Sequence, residues 1–442
     1  MNTLTEIKKE FWNSIKCGTG KAFIIQKMYP KINFKREIYK AAITNYAYDR
    51  QCEGSRGFYI NQLIKNSKDS NDIQKMILDR FVIENEDFYN LDQMYDLAVL
   101  FYANGKGNIS VREILRNRFT ISPAIHNEFC GEHQILKVFG IDGILIIANV
   151  IGKHLLENED ASACSWKIEE FQKKNKGINV FELLEINSKN NEFVRKYYES
   201  ITNNRSTIFK RRKIKKYSYK LISQRIKENK FMIISAERAN ELSDIEVLNL
   251  AKDFIDKKNI NAKEGYLEFF RERKFPLDIK YLLSIIKTKK YKNTYYLDLA
   301  CESLKFFKSK ELRELLFTKI DQLNKSPEYL YLLMSNYEDG DGVFLNGIID
   351  KCKNQHSIHR LTFILLDIYQ YNNTKDCKGP LLKLYDTLTC GLCRKNVIEI
   401  LDNNGVLSDF ILMEIKYDSE LDTRKFYKNR IKDRKQKVSS KL

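Results

Sequence analysis

Proline and glycine are scarce in this chain, whose 442 residues include only 5 Pro and 18 Gly. β-Sandwiches and β-barrels need a turn roughly every 8–12 residues and use both residue types to make those turns, so the scarcity argues against an all-β fold. It favours long helices joined by short polar turns. Hydrophobic residues make up 43% of the chain, which is enough for a packed core and argues against disorder.

Long apolar runs are also missing. The longest, from Ile144 to Ile151 with Asn149 inside it, is far shorter than the ~18 residues that a membrane-spanning helix needs. The amino terminus carries charges where a signal peptide would have its apolar core. Nine cysteines in a chain without that signal are typical of reduced thiols rather than of a disulfide framework. We therefore expect a cytoplasmic protein.

Apolar residues recur at helical spacing along most of the chain. The spacing predicts an amphipathic helix over 91–102 that stops near Gly105. Ser110 stands three residues before Glu113, which predicts a capping box at the start of the next helix. The fold class predicted from these patterns is all-α.

The carboxy-terminal half has the most regular pattern. Helices are predicted to begin near Leu277, Lys310, Gly342 and Pro380, each with room for a second helix before the next one begins. Helix pairs that repeat every 30–45 residues or so are typical of an α-solenoid, in which one pair cannot bury its apolar face alone. We predict two helical halves. Residues 1–160 form an amino-terminal helical domain, and residues 161–230 form a polar and basic connecting segment. Residues 231–430 form carboxy-terminal helical repeats, and residues 431–442 form a basic tail.

Residues 277–430 resemble HEAT repeats. In 384–424, a turn that contains Asp418 is followed by Arg424 on the next helix, similar to the HEAT pattern in which Asp and Arg form a ladder between neighbouring repeats. The segment 304–316 is similar, with Arg313 in the corresponding place but no Asp before it. The stretch 45–56 also looks like that of uncharacterised bacterial HEAT-like proteins. The resemblance implies antiparallel helix pairs and brings no activity with it.

The positive charge is confined to two segments, Arg205–Lys230 and Arg424–Leu442, which together account for the whole net charge of +18. On a helix, the apolar residues of the first segment gather on one side and the lysines and arginines on the other. Such a face suits an anionic partner, although a solvated surface or an acidic region of the same chain would also explain it. The candidate anion- or nucleic-acid-binding residues are Lys210, Arg211, Arg212, Lys213, Lys216, Lys220, Lys227 and Lys230.

Two groups of cysteine and histidine are candidates for a metal site. His126, Cys130 and His133 have helical spacing but match no standard signature. Cys390 and Cys393 could form half of a zinc site, and His356 and His359 could supply further ligands. Cysteines at i and i+3 of a helix are more often small core residues, and we interpret the pair in that way. The sequence predicts no cofactor.

No set of residues in the sequence indicates a reaction. The segment 17–22 has Gly20 before Lys21 but lacks the earlier glycine and the following Ser or Thr of a phosphate-binding loop. We therefore expect a non-catalytic helical-repeat scaffold or adaptor that binds a protein partner and does not insert into membranes. The alternative is a nucleic-acid-binding helical-repeat protein, related to DNA repair or defence, that uses residues 205–230 and the basic tail.

Overall fold

A computed structural model of the chain describes residues 3–83, 87–105, 107–121, 124–125, 128–158, 160–204, 216–230, 234–287, 294–323 and 325–439. These residues form an all-α structure with many helices. Its one extended element in the described residues is a two-stranded antiparallel ribbon, β1 (Ala124–Ile125) and β2 (Glu128–Phe129), in which Ala124 pairs with Phe129. None of the described helices has the length and apolar content to cross a lipid bilayer.

The amino-terminal helices are α1 (Leu4–Cys17), α2 (Lys21–Met28), α3 (Lys35–Ala42), α4 (Arg50–Glu53), α5 (Gly57–Lys65), α6 (Ser70–Ile83), α7 (Phe88–Asn104), α8 (Ile109–Thr120), α9 (Glu132–Phe139), α10 (Ile141–Glu157), α11 (Trp166–Lys174), α12 (Val180–Ser188) and α13 (Glu192–Asn204).

The remaining helices are α14 (Tyr219–Lys227), α15 (Ala236–Ala239), α16 (Asp244–Asp256), α17 (Ile260–Phe270), α18 (Lys280–Lys287), α19 (Thr294–Leu304), α20 (Lys310–Phe317), α21 (Asp341–Lys351), α22 (Gln355–Asn372), α23 (Lys378–Thr387), α24 (Gly391–Asn403), α25 (Asp409–Glu414) and α26 (Leu421–Ser439). In the described residues four short 3₁₀ segments accompany them: Ile320–Gln322, Pro327–Leu333, Lys375–Cys377 and Ile415–Tyr417.

Helix ends follow local sequence signals. Thr3 and Glu6 form a capping box at the start of α1, and Gly18 ends that helix in the left-handed conformation with a φ of 77°. The predicted capping box at Ser110 is wrong. Helix α8 begins earlier, because the side chain of Asn108 accepts the hydrogen bond of the Ser110 N–H and caps the helix.

The chain divides into two compact units. The first contains Met1–Lys210, Thr389–Gly391 and Phe410–Leu442, and the second contains Arg211–Leu388 and Leu392–Asp409. In the first unit α7 packs on α5, α8 and α9, while α10 packs on α9 and α13. In the second unit α17, α19, the 3₁₀ segment Pro327–Leu333 and α22 pack one on the next. In both units these helices pack on others that are close to them in sequence.

Hydrogen bonds between helices join residues at a recurring sequence separation. In the first unit the Arg118 Nε donates to the Phe81 carbonyl over 37 residues. In the second unit the Asn372 amide donates to the Met334 carbonyl over 38 residues, and Arg273 donates to the Ala239 carbonyl over 34. Each of these bonds joins two elements of one unit that lie 34–38 residues apart in sequence.

Candidate functional site

Helix α14 carries the described part of the predicted basic surface. Its side chains Ile222 and Ile226 are buried, and the helix packs against α16 and α17. Lys216, just before the helix, and Lys220, Lys227 and Lys230 are exposed. The other four predicted residues, Lys210, Arg211, Arg212 and Lys213, lie outside the described residues.

Acidic side chains accompany two of the four exposed lysines. The Lys230 Nζ lies 2.7 Å from the Glu228 carboxylate. A hydrogen bond from the Tyr217 N–H lowers the pKa of Glu241, and the positive charge of Lys216 lowers it further. Lys220 and Lys227 form no ion pair within the described part of the chain. The basic surface is thus partly neutralised by its own unit.

A cleft of about 480 Å³ lies between α14, α17 and α19 in the second unit. The Tyr295 hydroxyl donates a hydrogen bond to the Glu268 carboxylate at this cleft. The lining is mixed, with two carboxylates and a single lysine: Ile226, Asn229, Lys230, Asn261, Glu264, Gly265, Glu268 and Tyr295.

Carboxylates continue from this cleft across elements of the second unit that pack one on the next. We call them the carboxylate row; they lie on α17, α19, the segment Pro327–Leu333 and α22, and are Glu264, Glu268, Asp298, Glu302, Glu328 and Asp367. Charges within the row act on one another. The charges of Glu268 and Asp367 raise the pKa of Glu302. Those of Glu328 and Glu302 raise the pKa of Asp298.

Burial makes four carboxyl groups of the row resist ionisation. Desolvation raises the pKa of Glu302 to about 7 and, together with the neighbouring charge of Glu328, raises the pKa of Asp298 to about 7. Desolvation also raises the pKa of Glu268 and of Asp367. A carboxyl group in such a position gains when a cation approaches, because the cation favours the ionised form.

Two arginines hold the row in place. The Arg271 Nε lies 2.8 Å from the Glu302 carboxylate, and Arg271 also contacts Glu268. The Arg360 guanidinium lies 2.6 Å from Glu328 and 3.3 Å from Asp298. The acidic side chains of the carboxylate row nevertheless outnumber these two arginines.

The thiol closest to the row is not an activated nucleophile. Cys301 on α19 is fully buried, and desolvation raises its pKa well above the usual value. A neutral, enclosed thiol is a poor nucleophile. The arrangement suits binding of cationic groups better than covalent catalysis.

The predicted group of His126, Cys130 and His133 lies in the first unit. His126 lies outside the described residues. Cys130 is buried, its Sγ donates to the Phe88 carbonyl at 3.7 Å, and burial raises the pKa of its thiol well above the usual value. His133 is exposed and lines a separate cleft of about 500 Å³ with Lys137 and Lys167.

One cysteine of the other predicted pair does meet a histidine. In the second unit, His359 on α22 and Cys393 on α24 have their ligand atoms within 4.8 Å of each other. Cys390 and Cys393 are both buried, as expected of core residues. His356, one turn earlier on α22, is exposed and is not part of this group.

Comparison with known proteins yields no relative. No protein-family model, no curated protein and no solved structure matches this chain.

Sequence reasoning missed the carboxylate row. Glu264 and Glu268 are four residues apart, which places them on one side of α17, but an acidic stripe on a helix is more often a solvated face. Their connection to Asp298, Glu302 and Asp367 depends on the packing of three other elements, which no local pattern encodes.

Thiol labelling offers a simple check of the cysteine environments. Of the nine cysteines, Cys52 and Cys164 are exposed. We expect these two to react quickly with a thiol reagent in the native protein, and Cys52 more slowly than Cys164, because its hydrogen bond with Asp49 raises its pKa. Mass spectrometry of labelled peptides gives the order. Rapid labelling of Cys301 or Cys130 in native protein would contradict the described packing.

Proposed function

We propose that this chain is a non-catalytic, HEAT-like helical-repeat scaffold, an α-solenoid that binds a basic segment of a protein partner. The carboxylate row carries the proposal. It crosses four elements of the second unit that pack one on the next, and it combines partly buried carboxylates with the cleft beside Glu264 and Glu268.

The recurring hydrogen-bond separation supports the repeat architecture. Bonds that span 34–38 residues are what helix pairs of that length produce when each pair packs on the next. Arg313 adds a feature of the HEAT ladder, because both of its terminal nitrogens lie 2.8 Å from the Asp341 carboxylate. The aspartate that the sequence lacks before Arg313 is thus supplied from a later helix.

Charge favours a protein ligand over a nucleic acid for this surface. Phosphates would be repelled by the carboxylate row, whereas lysine or arginine side chains would be attracted to it. Burial raises the pKa of Glu268 and of Glu302, and a bound cation would favour the ionised forms of both.

The nucleic-acid alternative has one observation in its favour. Lys220 and Lys227 are exposed on α14 and have no ion-pair partner in the described residues, so they could contact phosphates. Each phosphate contact would lower log K by ~0.9 per unit of log salt on duplex DNA. We keep this as the second candidate function.

A binding assay with two defined probes separates the candidates. Fluorescence anisotropy of the full chain is measured against an arginine-rich peptide and against duplex DNA. The net charge of +18 opposes non-specific binding of a cationic peptide, so peptide binding reports a local acidic surface. We expect the peptide to bind and Glu264→Lys to weaken it by at least about tenfold.

Glu314→Lys is the matched control, because Glu314 is an exposed helical glutamate outside the row. It should leave peptide binding unchanged. DNA binding that is lost in the Lys220→Glu/Lys227→Glu variant, without peptide binding, would reject the protein-scaffold proposal in favour of the alternative.

A further inference from the structure

The cleft that His133 lines lies wholly within the first unit, between α9, the start of α10 and α11. We call it the α9–α11 cleft. Its volume of about 500 Å³ is within the ~300–1,000 Å³ of clefts that hold small organic ligands. Three lysines, one glutamate and four large apolar side chains are among the residues that line it. The proposed scaffold function does not use this cleft.

Part of the lining is apolar. Leu136 comes from α9, Ile141 from the first residue of α10, Phe171 from α11 and Ile178 from the segment that follows α11. The side chain of Ile141 is 43% exposed. Covering such a side chain is favourable, because apolar surface is removed from water. The cleft therefore suits a ligand with an apolar body.

The charged part of the lining is mainly positive. The Lys167 Nζ lies 2.8 Å from the Glu132 carboxylate, and the Lys174 Nζ lies 2.7 Å from the Glu170 carboxylate, so two of the three lysines are paired. Lys137 is exposed and forms no ion pair within the part of the chain that the structure describes. This lysine leaves the cleft with an excess of positive charge.

The pKa of Glu170 reports the positive charge at the cleft. A hydrogen bond from Lys174 lowers this pKa, and the charges of Lys174, His133 and Lys173 lower it as well. His133 and Lys137 are four residues apart on α9, which places both on the same side of that helix. The anionic group of a ligand at the cleft would be attracted by the same charges.

We propose that the α9–α11 cleft binds a small amphiphilic organic anion, in which one carboxylate, phosphate or sulfonate group is attached to an apolar body. The anionic group lies beside Lys137, and the apolar body lies against Ile141 and Phe171. Because cationic and apolar side chains line one cleft, a ligand with both features gains from both. Inorganic phosphate lacks the apolar contact, and a neutral ligand leaves Lys137 without a counter-charge.

Fluorescence titration with anilinonaphthalene sulfonate tests the proposal, because this probe is an aromatic anion whose emission rises in apolar surroundings. We expect saturable binding to the full chain, weakened by at least about tenfold in Lys137→Glu. Lys65→Glu is the matched control, since Lys65 is also an exposed lysine of the first unit but lies outside the cleft. It should leave binding unchanged. Equal weakening by the two variants would show that only net charge attracts the probe, and it would overturn the site.

Ile141→Ser tests the apolar part of the lining. We expect this substitution to weaken binding of the probe by about threefold or more. Leu156→Ser is its control, because Leu156 lies near the other end of α10 and is 41% exposed, close to the 43% of Ile141. It should bind the probe as the wild type does. Undiminished binding by Ile141→Ser would contradict the proposal.

Competition against the bound probe identifies the kind of ligand. Decanoate has an aliphatic body and naphthoate an aromatic one, and each carries one carboxylate. Displacement of the probe by either compound supports the cleft as a site for amphiphilic anions and shows which body it prefers. Displacement by inorganic phosphate at the same concentration, with neither carboxylate effective, would mean that the cleft recognises charge alone, and it would reject the proposal.

Discussion

Replacing Arg118 by alanine is expected to destabilise the first unit by about 3 kcal/mol. Arg118 is 1% exposed, lies near the face of the Phe81 ring and donates from Nε to the Phe81 carbonyl at 2.9 Å. The substitution leaves that carbonyl without its donor and opens a cavity between α6 and α8. Scanning calorimetry should record a fall of about 6–12 °C in the midpoint of the affected transition.

Arg116→Ala is the comparison that isolates burial. Arg116 lies on the same helix, two residues earlier, and is exposed. Its replacement should change the free energy of unfolding by no more than about 0.5 kcal/mol. Equal effects of the two substitutions would mean that Arg118 does not connect the two helices in the way described.

The second large effect concerns Glu302 and pH. Desolvation raises the pKa of this carboxyl from 4.5 to about 7, despite the lowering effects of Arg271 and Lys305. Between these two pH values the folded chain keeps a proton that the unfolded chain has lost. The free energy of unfolding therefore falls as pH rises from 4.5 to 7, by about 3 kcal/mol from this group.

Glu302→Gln removes the titrating group and should flatten this part of the profile. Chemical denaturation of wild type and variant at pH 5 and pH 8 measures the difference, and we expect the wild type to lose about 3 kcal/mol more than the variant. Asp298 titrates in the same range, so the variant keeps some pH dependence. Glu314→Gln, an exposed control, should follow the wild type, and a variant profile as steep as that of wild type would refute the assignment.

The local pattern of apolar residues was sufficient to predict the helices. The helix predicted over 91–102 is observed as Phe88–Asn104, and the starts predicted near Lys310 and Gly342 are observed at Lys310 and Asp341. The helical periodicity reflects the apolar face that each helix needs, and few proline or glycine residues interrupt it. The all-α class is confirmed, while the predicted domain boundaries stay predictions.

Contacts between residues that are distant in sequence could not be predicted from local sequence patterns. The sequence places His359 on a helix and pairs Cys390 with Cys393, but the meeting of His359 with Cys393 depends on how α22 packs in the second unit. The sequence around Arg118 does not distinguish it from a surface arginine. Nothing in the residues next to it indicates that its side chain donates to the Phe81 carbonyl of another helix. The roles of such residues depend on tertiary packing and not on local helix propensity.

The first unit draws its helices from both ends of the chain, and this has a consequence for biosynthesis. Ser419 donates its N–H to the Gly18 carbonyl at 2.7 Å, and the Tyr417 ring stacks on Phe23 with 5.2 Å between centres. A ribosome makes these partners about 400 residues apart, which takes roughly 20–80 s at 5–20 residues per second. During that time the nascent amino-terminal helices expose the surface that Tyr417 later covers. The Phe23 ring therefore stays without this stacking partner until residue 417 has been made.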